Sequence, residues 1–311
     1  MLYLIGTGPL AQEYSKVLVA LGVDFAVIGR SQNSSQKFFE SAGIRPISGG
    51  VESLEGSMFM NSTVINAVGV MDLAKVSKFV LENGCRSLLI EKPGASNQKE
   101  LEELNALALL NKCKTWIAYN RRFYSSVQRA REILEGDGGA HTVHFEFNED
   151  STEISALLHN DDIKRNWIIA NSSHVLDLAF FLCGNPREFN NWNMGSLKWH
   201  PTGSRFVGAG ITDQGTLFSY SSNWISPGRW KIEVSTSKSR LMFQPLEKVK
   251  LVNMDGSISE LNDYDDAIDL RFKPGLYKQV ENFIRGDDTH ACLIQEQLTN
   301  WNLYQRIAGY E

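Results

Sequence analysis

Near its amino terminus the chain reads Leu4-Ile5-Gly6-Thr7-Gly8-Pro9-Leu10-Ala11. This G-x-G-x-x-A segment follows an apolar run at residues 2–5 and opens a helical pattern at residues 10–21. A strand, a glycine turn and a helix in this order form the context in which the pattern binds a dinucleotide. Gly6 would permit the tight turn, and Gly8 would let the backbone approach a pyrophosphate at the helix N-terminus. The residues predicted to bind the cofactor here are Gly6, Thr7, Gly8, Pro9 and Leu10.

The rest of the first 119 residues continues this alternation of strands and helices. Further predicted strands cover residues 25–28, 62–68, 87–91 and 115–119, and further predicted helices cover residues 36–42, 71–83 and 98–112. Apolar strands that alternate with helices indicate a parallel sheet covered on both faces. We therefore predict an α/β fold whose N-terminal domain, residues 1–119, is a Rossmann-type doubly wound parallel sheet.

The pattern changes after about residue 120. Predicted helices cover residues 123–134, 173–182, 276–284 and 293–308, and predicted strands cover residues 141–147, 188–193, 206–212, 217–220, 230–235, 240–243 and 249–252. Consecutive strands separated by turn residues predict a large, mostly antiparallel open sheet. Residues 120–311 are expected to form an α+β substrate and oligomerisation domain, whose C-terminal helix could pack back on the first domain. Because an open apolar sheet needs cover, a homodimer or homotetramer through this sheet is expected.

The composition excludes several classes of protein. With 42% hydrophobic and 22% charged residues among 311, the chain is typical of a globular protein. Its 36 acidic residues outnumber 31 basic ones without a basic stripe, which argues against nucleic acid as a main partner. It has neither an apolar run of the ~20 residues that a membrane span needs nor a signal-peptide pattern, so a cytoplasmic location is expected. We expect no metal and only buried reduced thiols, since no metal-ligand spacing joins Cys85, Cys113, Cys183 and Cys292.

The end of the second predicted strand bears on the choice of cofactor. It reads Val27-Ile28-Gly29-Arg30-Ser31, whereas an NAD site usually carries an acidic residue there for the ribose 2′-hydroxyl. Arg30 could stack on adenine and pair with a 2′-phosphate, and Ser31 could donate to that phosphate. We therefore favour NADP(H) over NAD(H). The alternative is that Arg30 is only an exposed loop charge.

A second motif follows the predicted strand at residues 87–91, where an apolar run ends in Glu91-Lys92-Pro93-Gly94. A lysine at the carboxyl end of a parallel strand points to the crevice where such sheets bind ligands. Together with the glycine loop, this motif resembles the Gfo/Idh/MocA oxidoreductase family, which includes glucose–fructose oxidoreductase and inositol dehydrogenase. The resemblance covers essentially the whole chain. It extends to Tyr119-Asn120-Arg121-Arg122-Phe123 and to His174-x-x-Asp177-Leu178, with Gly184 after that helix.

The resemblance implies an enzyme that moves a hydride between a nicotinamide and a hydroxyl-bearing carbon of a sugar, sugar nucleotide or cyclitol. Lys92 falls on the family's catalytic lysine, which would hydrogen-bond the reacting oxygen. His174 falls on the catalytic histidine, and an imidazole is suited to proton transfer near neutral pH. Glu91 is expected to orient the local backbone, and the Lys92–Pro93 bond is a candidate cis peptide.

The resemblance also implies the remaining contacts. The cofactor is expected to touch Val68, Glu91 and Lys92 in addition to Arg30, Ser31 and the glycine loop. The residues expected to bind substrate are Lys92, Asn120, Arg122, Trp167, Asn171, His174 and Asp177. Their residue types leave structural alternatives open. Arg122 could serve structural pairing, Trp167 could belong to the core, and Asp177 could lie on a helix surface.

The chain departs from the family's pattern at two places. Many members carry an aspartate four residues before the histidine, but Ala170 stands there before His174. The Asn-Ser-Ser run at residues 171–173 could supply hydrogen bonds instead, or its serines could cap the helix. Many members also have Thr-Pro where this chain has Val68-Gly69. The reaction direction and substrate therefore stay open, and two alternatives remain: an imine or enone reductase of the same fold, and a noncatalytic dinucleotide-binding sensor.

Overall fold

The computed structural model describes residues 1–310, and the chain forms two compact units. One unit comprises Met1–Phe123 and Ile268–Thr299, and the other comprises Tyr124–Ala267 and residues 300–310. The sequence predicted a single domain boundary after residue 119. In the structure the first unit extends to Phe123 and also includes residues 268–299.

The predicted elements are present in the predicted order with small shifts at their ends, and the structure adds six short elements that were not predicted. The strands are β1 Leu2–Ile5, β2 Phe25–Gly29, β3 Ile47–Ser48, β4 Thr63–Asn66, β5 Ser87–Glu91, β6 Lys114–Ala118, β7 Thr142–Phe147, β8 Pro186–Met194, β9 Arg205–Thr212, β10 Leu217–Asn223, β11 Trp230–Ser235, β12 Arg240–Phe243, β13 Lys250–Val252, β14 Ile258–Glu260 and β15 Cys292–Leu293. The α-helices are α1 Pro9–Ala20, α2 Gln32–Ala42, α3 Val70–Glu82, α4 Gln98–Leu110, α5 Ser125–Gly136, α6 Ser151–Ala156, α7 Asp161–Arg165, α8 Ser173–Cys183, α9 Ala267–Arg271, α10 Leu276–Arg285 and α11 Ile294–Ala308. The six elements that were not predicted are β3, β14, β15, α6, α7 and α9. A 3₁₀ turn at Asn120–Phe123 follows β6, and a π-helical turn at Ile168–Ser172 precedes α8.

The first unit is built on a sheet with the strand order β15-β6-β5-β4-β1-β2-β3. Strands β1 to β6 run parallel to one another, with Ile5 beside both Ile28 and Asn66. The central strands bury apolar side chains on both faces, as Leu4, Ile65 and Leu89 illustrate. The prediction of a Rossmann-type parallel sheet is confirmed.

The segment at residues 268–299 completes this unit. Strand β15 pairs antiparallel with β6, placing Cys292 beside Ile117. Helix α10 packs against α1 and the 3₁₀ turn at Asn120–Phe123, and its Phe283 ring lies 5.3 Å from the Trp116 ring. These contacts explain why the segment belongs with the parallel sheet rather than with the sheet that precedes it in sequence.

The second unit is built on a sheet with the order β14-β13-β12-β11-β7-β10-β9-β8. All its neighbouring pairs are antiparallel except β7 and β10. Helix α8 packs on one face, where the Phe180 ring lies 5.4 Å from the rings of both Phe145 and Phe218. The prediction of a large, mostly antiparallel open sheet is confirmed.

Two expectations from composition concern the whole chain. Of the helices in residues 1–310, none combines the length and apolar character that a membrane crossing requires. The four cysteines, Cys85, Cys113, Cys183 and Cys292, are buried thiols.

Candidate functional site

The glycine loop connects β1 to α1, and its two glycines have different roles. Gly6 has φ +126°, and a Cβ placed on it would lie 2.6 Å from the Ala67 carbonyl oxygen. Its N–H donates to the Ile28 carbonyl at 2.9 Å. Gly8 is the N-cap of α1, where an added Cβ would meet no atom within 4 Å. The chain therefore needs glycine at residue 6 for the turn itself, whereas Gly8 keeps the space above the helix N-terminus open.

This loop fits the phosphates of a dinucleotide. Pro9 occupies the first turn of α1, which contains no acidic residue, so its N-terminal N–H groups favour an anion. The Thr7 methyl lies against Gly29, and Leu10 packs on the apolar core. Helix α3 also begins at a glycine, Gly69, above which a Cβ would meet open space.

Asn66, at the end of β4, holds the neighbouring loop in place. Its side-chain amide donates to the Leu73 carbonyl at 3.0 Å and to the Ser77 hydroxyl at 2.9 Å. Its carbonyl oxygen accepts from the Val68 N–H at 3.4 Å. Sequence reasoning missed Asn66, although a polar residue that ends a buried apolar strand is a usable signal. Val68 thus lies on a loop fixed beside Gly6.

Charged and hydroxyl groups gather at the end of β2. Arg30 is exposed over 80% of its side chain and pairs with Asp72 at 2.8 Å. Ser31 caps α2 by accepting from the Ser34 N–H, and the two hydroxyls lie 2.9 Å apart. The pKa of Glu52 is lowered, mainly by a hydrogen bond from Lys75. The positive charge of Arg30 makes a smaller contribution to the same decrease. A phosphate bound by Arg30 would therefore have to compete with Asp72.

Hydrogen bonds hold the residues on both sides of Lys92. The Tyr14 hydroxyl donates to the Glu91 carboxylate at 2.5 Å, and the Gln297 amide donates to the Pro93 carbonyl at 2.9 Å. The Lys92–Pro93 peptide is cis, as the resemblance implies. Burial raises the pKa of Glu91. The largest of the smaller effects that lower this pKa is the hydrogen bond from Tyr14. Sequence reasoning placed Tyr14 in the core but missed its hydroxyl, and it missed Gln297 altogether.

The polar groups of Asn120 and Arg122 contact the returning segment of the same unit. The Asn120 amide donates to the Pro274 carbonyl at 2.8 Å. Arg122, with 3% of its side chain exposed, pairs with Glu296 at 2.5 Å and donates to the Ala291 carbonyl at 3.2 Å. This geometry favours the structural pairing that the sequence also allowed for Arg122.

In the second unit, the π-helical turn at Ile168–Ser172 leads directly into α8, which carries His174 and Asp177. Both side chains are buried, so Asp177 does not lie on a helix surface. The His174 ring lies 6.4 Å from the Trp230 ring. Trp167 is buried as well and packs against the rings of His159 and Trp199.

The capping role considered for Ser172 and Ser173 is wrong. Ser172 is the N-cap of α8 but makes no side-chain capping bond. Its hydroxyl donates instead to Glu149 at 2.6 Å, and the Ser173 hydroxyl donates to the Ile169 carbonyl at 2.7 Å. The physical reason is that α8 continues from a helical turn rather than from an extended loop.

Glu149 is the carboxylate that sequence reasoning missed. It accepts from Ser172 and, at 3.0 Å, from the Asn171 side-chain amide. Burial raises its pKa, and the hydrogen bond from Ser172 is the largest of the effects that oppose this rise. In the sequence it stands in Asn148-Glu149-Asp150 after a strand, where it looks like an ordinary loop charge.

No protein-family model matches the chain, and no curated protein does. Solved structures match nearly all of it. UDP-N-acetylglucosamine 3-dehydrogenase GnnA from Acidithiobacillus ferrooxidans is 14% identical with a TM-score of 0.76, over 99% of this chain and 96% of that one. An oxidoreductase from Desulfitobacterium hafniense, named as NADPH-dependent, is 14% identical with a TM-score of 0.79, over 99% and 94%. Levoglucosan dehydrogenase, in complex with NADH and levoglucosan, is 13% identical with a TM-score of 0.78, over 99% and 96%. At such low identity these likenesses show that the chain has the fold of these proteins.

Proposed function

We propose that the chain is an oxidoreductase of the Gfo/Idh/MocA type. It would transfer a hydride between NADP(H) and a hydroxyl-bearing carbon of a sugar, sugar nucleotide or cyclitol. One observation carries the proposal: the glycine loop and Lys92 follow β1 and β5, whose carboxyl ends lie on either side of β4 in one parallel sheet. Ligands of such sheets bind at this edge. The sugar and sugar-nucleotide dehydrogenases of the same fold support the substrate class.

Lys92 would act on the reacting oxygen. The nicotinamide, when bound, accepts or donates the hydride. The Lys92 ammonium would hydrogen-bond the substrate oxygen and stabilise the negative charge that develops on it. Such stabilisation is effective when the donor is held in place before the reaction. The bonds from Tyr14 to the Glu91 carboxylate and from Gln297 to the Pro93 carbonyl support that role, because they hold the residues on either side of Lys92.

His174 would exchange the hydroxyl proton. Its position in a buried part of the second unit, beside the Trp230 ring, supports a defined ring orientation. An imidazole can take up and release a proton near neutral pH. Asn171 and Asp177, which precede and follow it, remain proposed substrate contacts.

The direct test is an oxidation and reduction screen of the purified protein. NADP⁺ or NAD⁺ is mixed with hexoses, sugar nucleotides and cyclitols, and NADPH or NADH with keto sugars, imines and enones. We expect nicotinamide turnover with at least one hydroxyl or ketone substrate. Turnover with only imines or enones would favour the alternative reductase. Cofactor binding without turnover on any compound would favour the noncatalytic sensor.

We further propose that the enzyme prefers NADP(H), and Arg30 allows this preference to be tested. Arg30→Ala should weaken NADPH binding about tenfold or more, because a charge-assisted bond to the 2′-phosphate is lost. NADH binding should change far less. Asp72→Asn should act in the opposite direction, since it releases Arg30 from its ion pair. Tryptophan fluorescence titration measures both constants.

The control for this prediction is Arg45→Ala, which removes an exposed arginine that packs on Phe39 in the same unit. It should leave both cofactor constants unchanged. If Arg30→Ala weakens NADH and NADPH binding equally, Arg30 does not read the phosphate and the NADP(H) preference is rejected.

We also propose that the open face of the second sheet forms a homo-oligomer. Trp192, Met194, Val207 and Leu217 are exposed on β8, β9 and β10, opposite the face that α8 covers. Farther across the same face, Glu233 pairs with both Lys231 and Arg240. An open sheet face that exposes apolar side chains beside charges of both signs is suited to a second copy of the chain.

Met194→Glu should separate this oligomer into monomers of 34.9 kDa. A carboxylate placed in an apolar contact should weaken association at least about 30-fold, because its removal from water is unfavourable. The matched control is Met254→Glu, because Met254 is also exposed but lies in the turn between β13 and β14. Light scattering after gel filtration measures the mass. A Met194→Glu protein with the wild-type oligomeric mass would rule out this face as the interface.

A further inference from the structure

Glu149 lies two residues beyond β7, at the end of the strand where Phe147 pairs with Trp230 of β11. Its carboxylate accepts from Ser172 at 2.6 Å and from Asn171 at 3.0 Å. The indole of Trp230 lies near this carboxyl and is among the groups that lower its pKa against the effect of burial. Glu149 therefore joins the end of β7 to the π-helical turn and to the first residue of β11.

These contacts involve the residues that directly precede His174 in the chain. Ser172 and Asn171 immediately precede α8, and His174 is its second residue. Trp230, which faces Glu149, also lies beside the His174 ring. Since the π-helical turn continues into α8 without an extended linker, fixing the turn also fixes where the helix begins. The carboxylate that accepts from Asn171 and Ser172 is therefore bonded to the two residues that directly precede α8.

The neighbouring acidic groups have other partners. Glu146 accepts from the Asn148 side chain at 2.9 Å, and Asp150 caps α6 by accepting from two N–H groups of its first turn. Asp177 is buried but follows His174 in α8 instead of preceding it. Position 170, one turn before His174, carries the methyl group of alanine. Burial of a carboxylate is unfavourable unless hydrogen bonds compensate for it, and Glu149 has such bonds from the turn that lacks an acidic residue.

We propose that Glu149 is a positioning residue for His174 and supplies, from the segment after β7, the carboxylate that Ala170 cannot provide. It orients His174 through Asn171, Ser172 and Trp230, and it places a negative charge beside the start of α8. The kinetic part of this inference rests on the proposed function. The structural part, an effect of Glu149 on the His174 ring, does not.

The kinetic test is Glu149→Gln, which keeps an oxygen acceptor for Ser172 but removes the charge. We expect kcat to fall about 10- to 100-fold with little change in KM, because proton transfer and not substrate binding is impaired. Glu153→Gln, the same change at an exposed position of α6, should leave kcat unchanged. Adding Ala170→Asp to Glu149→Gln should restore much of kcat, since it returns a carboxylate to the same turn. Wild-type kcat in the Glu149→Gln protein would overturn the proposal.

A spectroscopic test separates this inference from the proposed function. The ring nitrogens of histidine-labelled protein are observed by NMR at one pH, and the His174 signals are identified by their loss in His174→Gln. Glu149→Gln should move these signals, and Glu153→Gln should not. If the wild-type protein transfers no hydride but the signals move, the proposed function fails and the positioning role stands. If the His174 signals do not move in a folded Glu149→Gln protein, the positioning role is rejected, whatever the activity.

Discussion

Lys92→Met should lower kcat by about a thousandfold or more while the protein still binds NADPH. The substitution keeps most of the side-chain volume but removes the ammonium group. The charge that develops on the substrate oxygen would then have no positioned donor, and the barrier to hydride transfer would rise. Because Tyr14 and Gln297 hold the adjoining residues Glu91 and Pro93, the variant should fold normally.

The control for this result is Lys99→Met, which makes the same change at an exposed lysine of α4. Its kcat and cofactor affinity should equal those of the wild type. Steady-state kinetics on the best substrate of the screen, together with fluorescence titration, measures both quantities. Unchanged turnover in Lys92→Met would show that Lys92 has no part in the reaction. It would favour the alternative reductase, which does not need this lysine.

Gly6→Ala should lower the free energy of unfolding by about 3 kcal/mol or more and abolish dinucleotide binding. Two effects add at this position. The backbone has φ +126°, which residues with a Cβ rarely adopt, and the new methyl group would lie 2.6 Å from the Ala67 carbonyl oxygen. Since that oxygen belongs to the backbone beside β4, relief requires β1 and β4 to separate. Urea denaturation measures the change in stability.

Gly22→Ala is the matched control, because Gly22 also has positive φ, +65°, but has no atom within 4 Å of an added Cβ. It should cost about 1 kcal/mol from backbone strain alone. The difference between the two variants therefore isolates the close contact with Ala67. Equal stabilities would contradict the tight turn assigned to Gly6.

Much of the fold could be predicted because long, strongly patterned segments determine it. The apolar strands at residues 2–5 and 87–91 have the predicted bounds. The strands β3 and β15 have only two residues each, and β14 is exposed at all three of its positions, so none of them shows a hydrophobic period. Helix α2 begins at Gln32, four residues before the predicted start, because the Ser31 cap stabilises a first turn of weak helix formers.

The candidate site was predictable where its signals are local in sequence. Gly6 and Lys92 lie in short motifs directly after strands, so neighbouring residues reveal them. The bond between Tyr14 and Glu91 joins residues 77 apart, and that between Glu149 and Ser172 joins residues 23 apart. Such pairs depend on how strands and helices pack, which periodicity does not encode.

The most direct test of the proposed dinucleotide site is to titrate the purified protein with NADPH and with NADH in separate experiments. Quenching of the fluorescence of its seven tryptophans measures the binding. We expect saturable binding of one dinucleotide per chain, with NADPH bound more tightly than NADH. Tighter NADH binding would contradict the role of Arg30 but leave the glycine loop as a dinucleotide site. Binding of neither cofactor would contradict the oxidoreductase proposal itself.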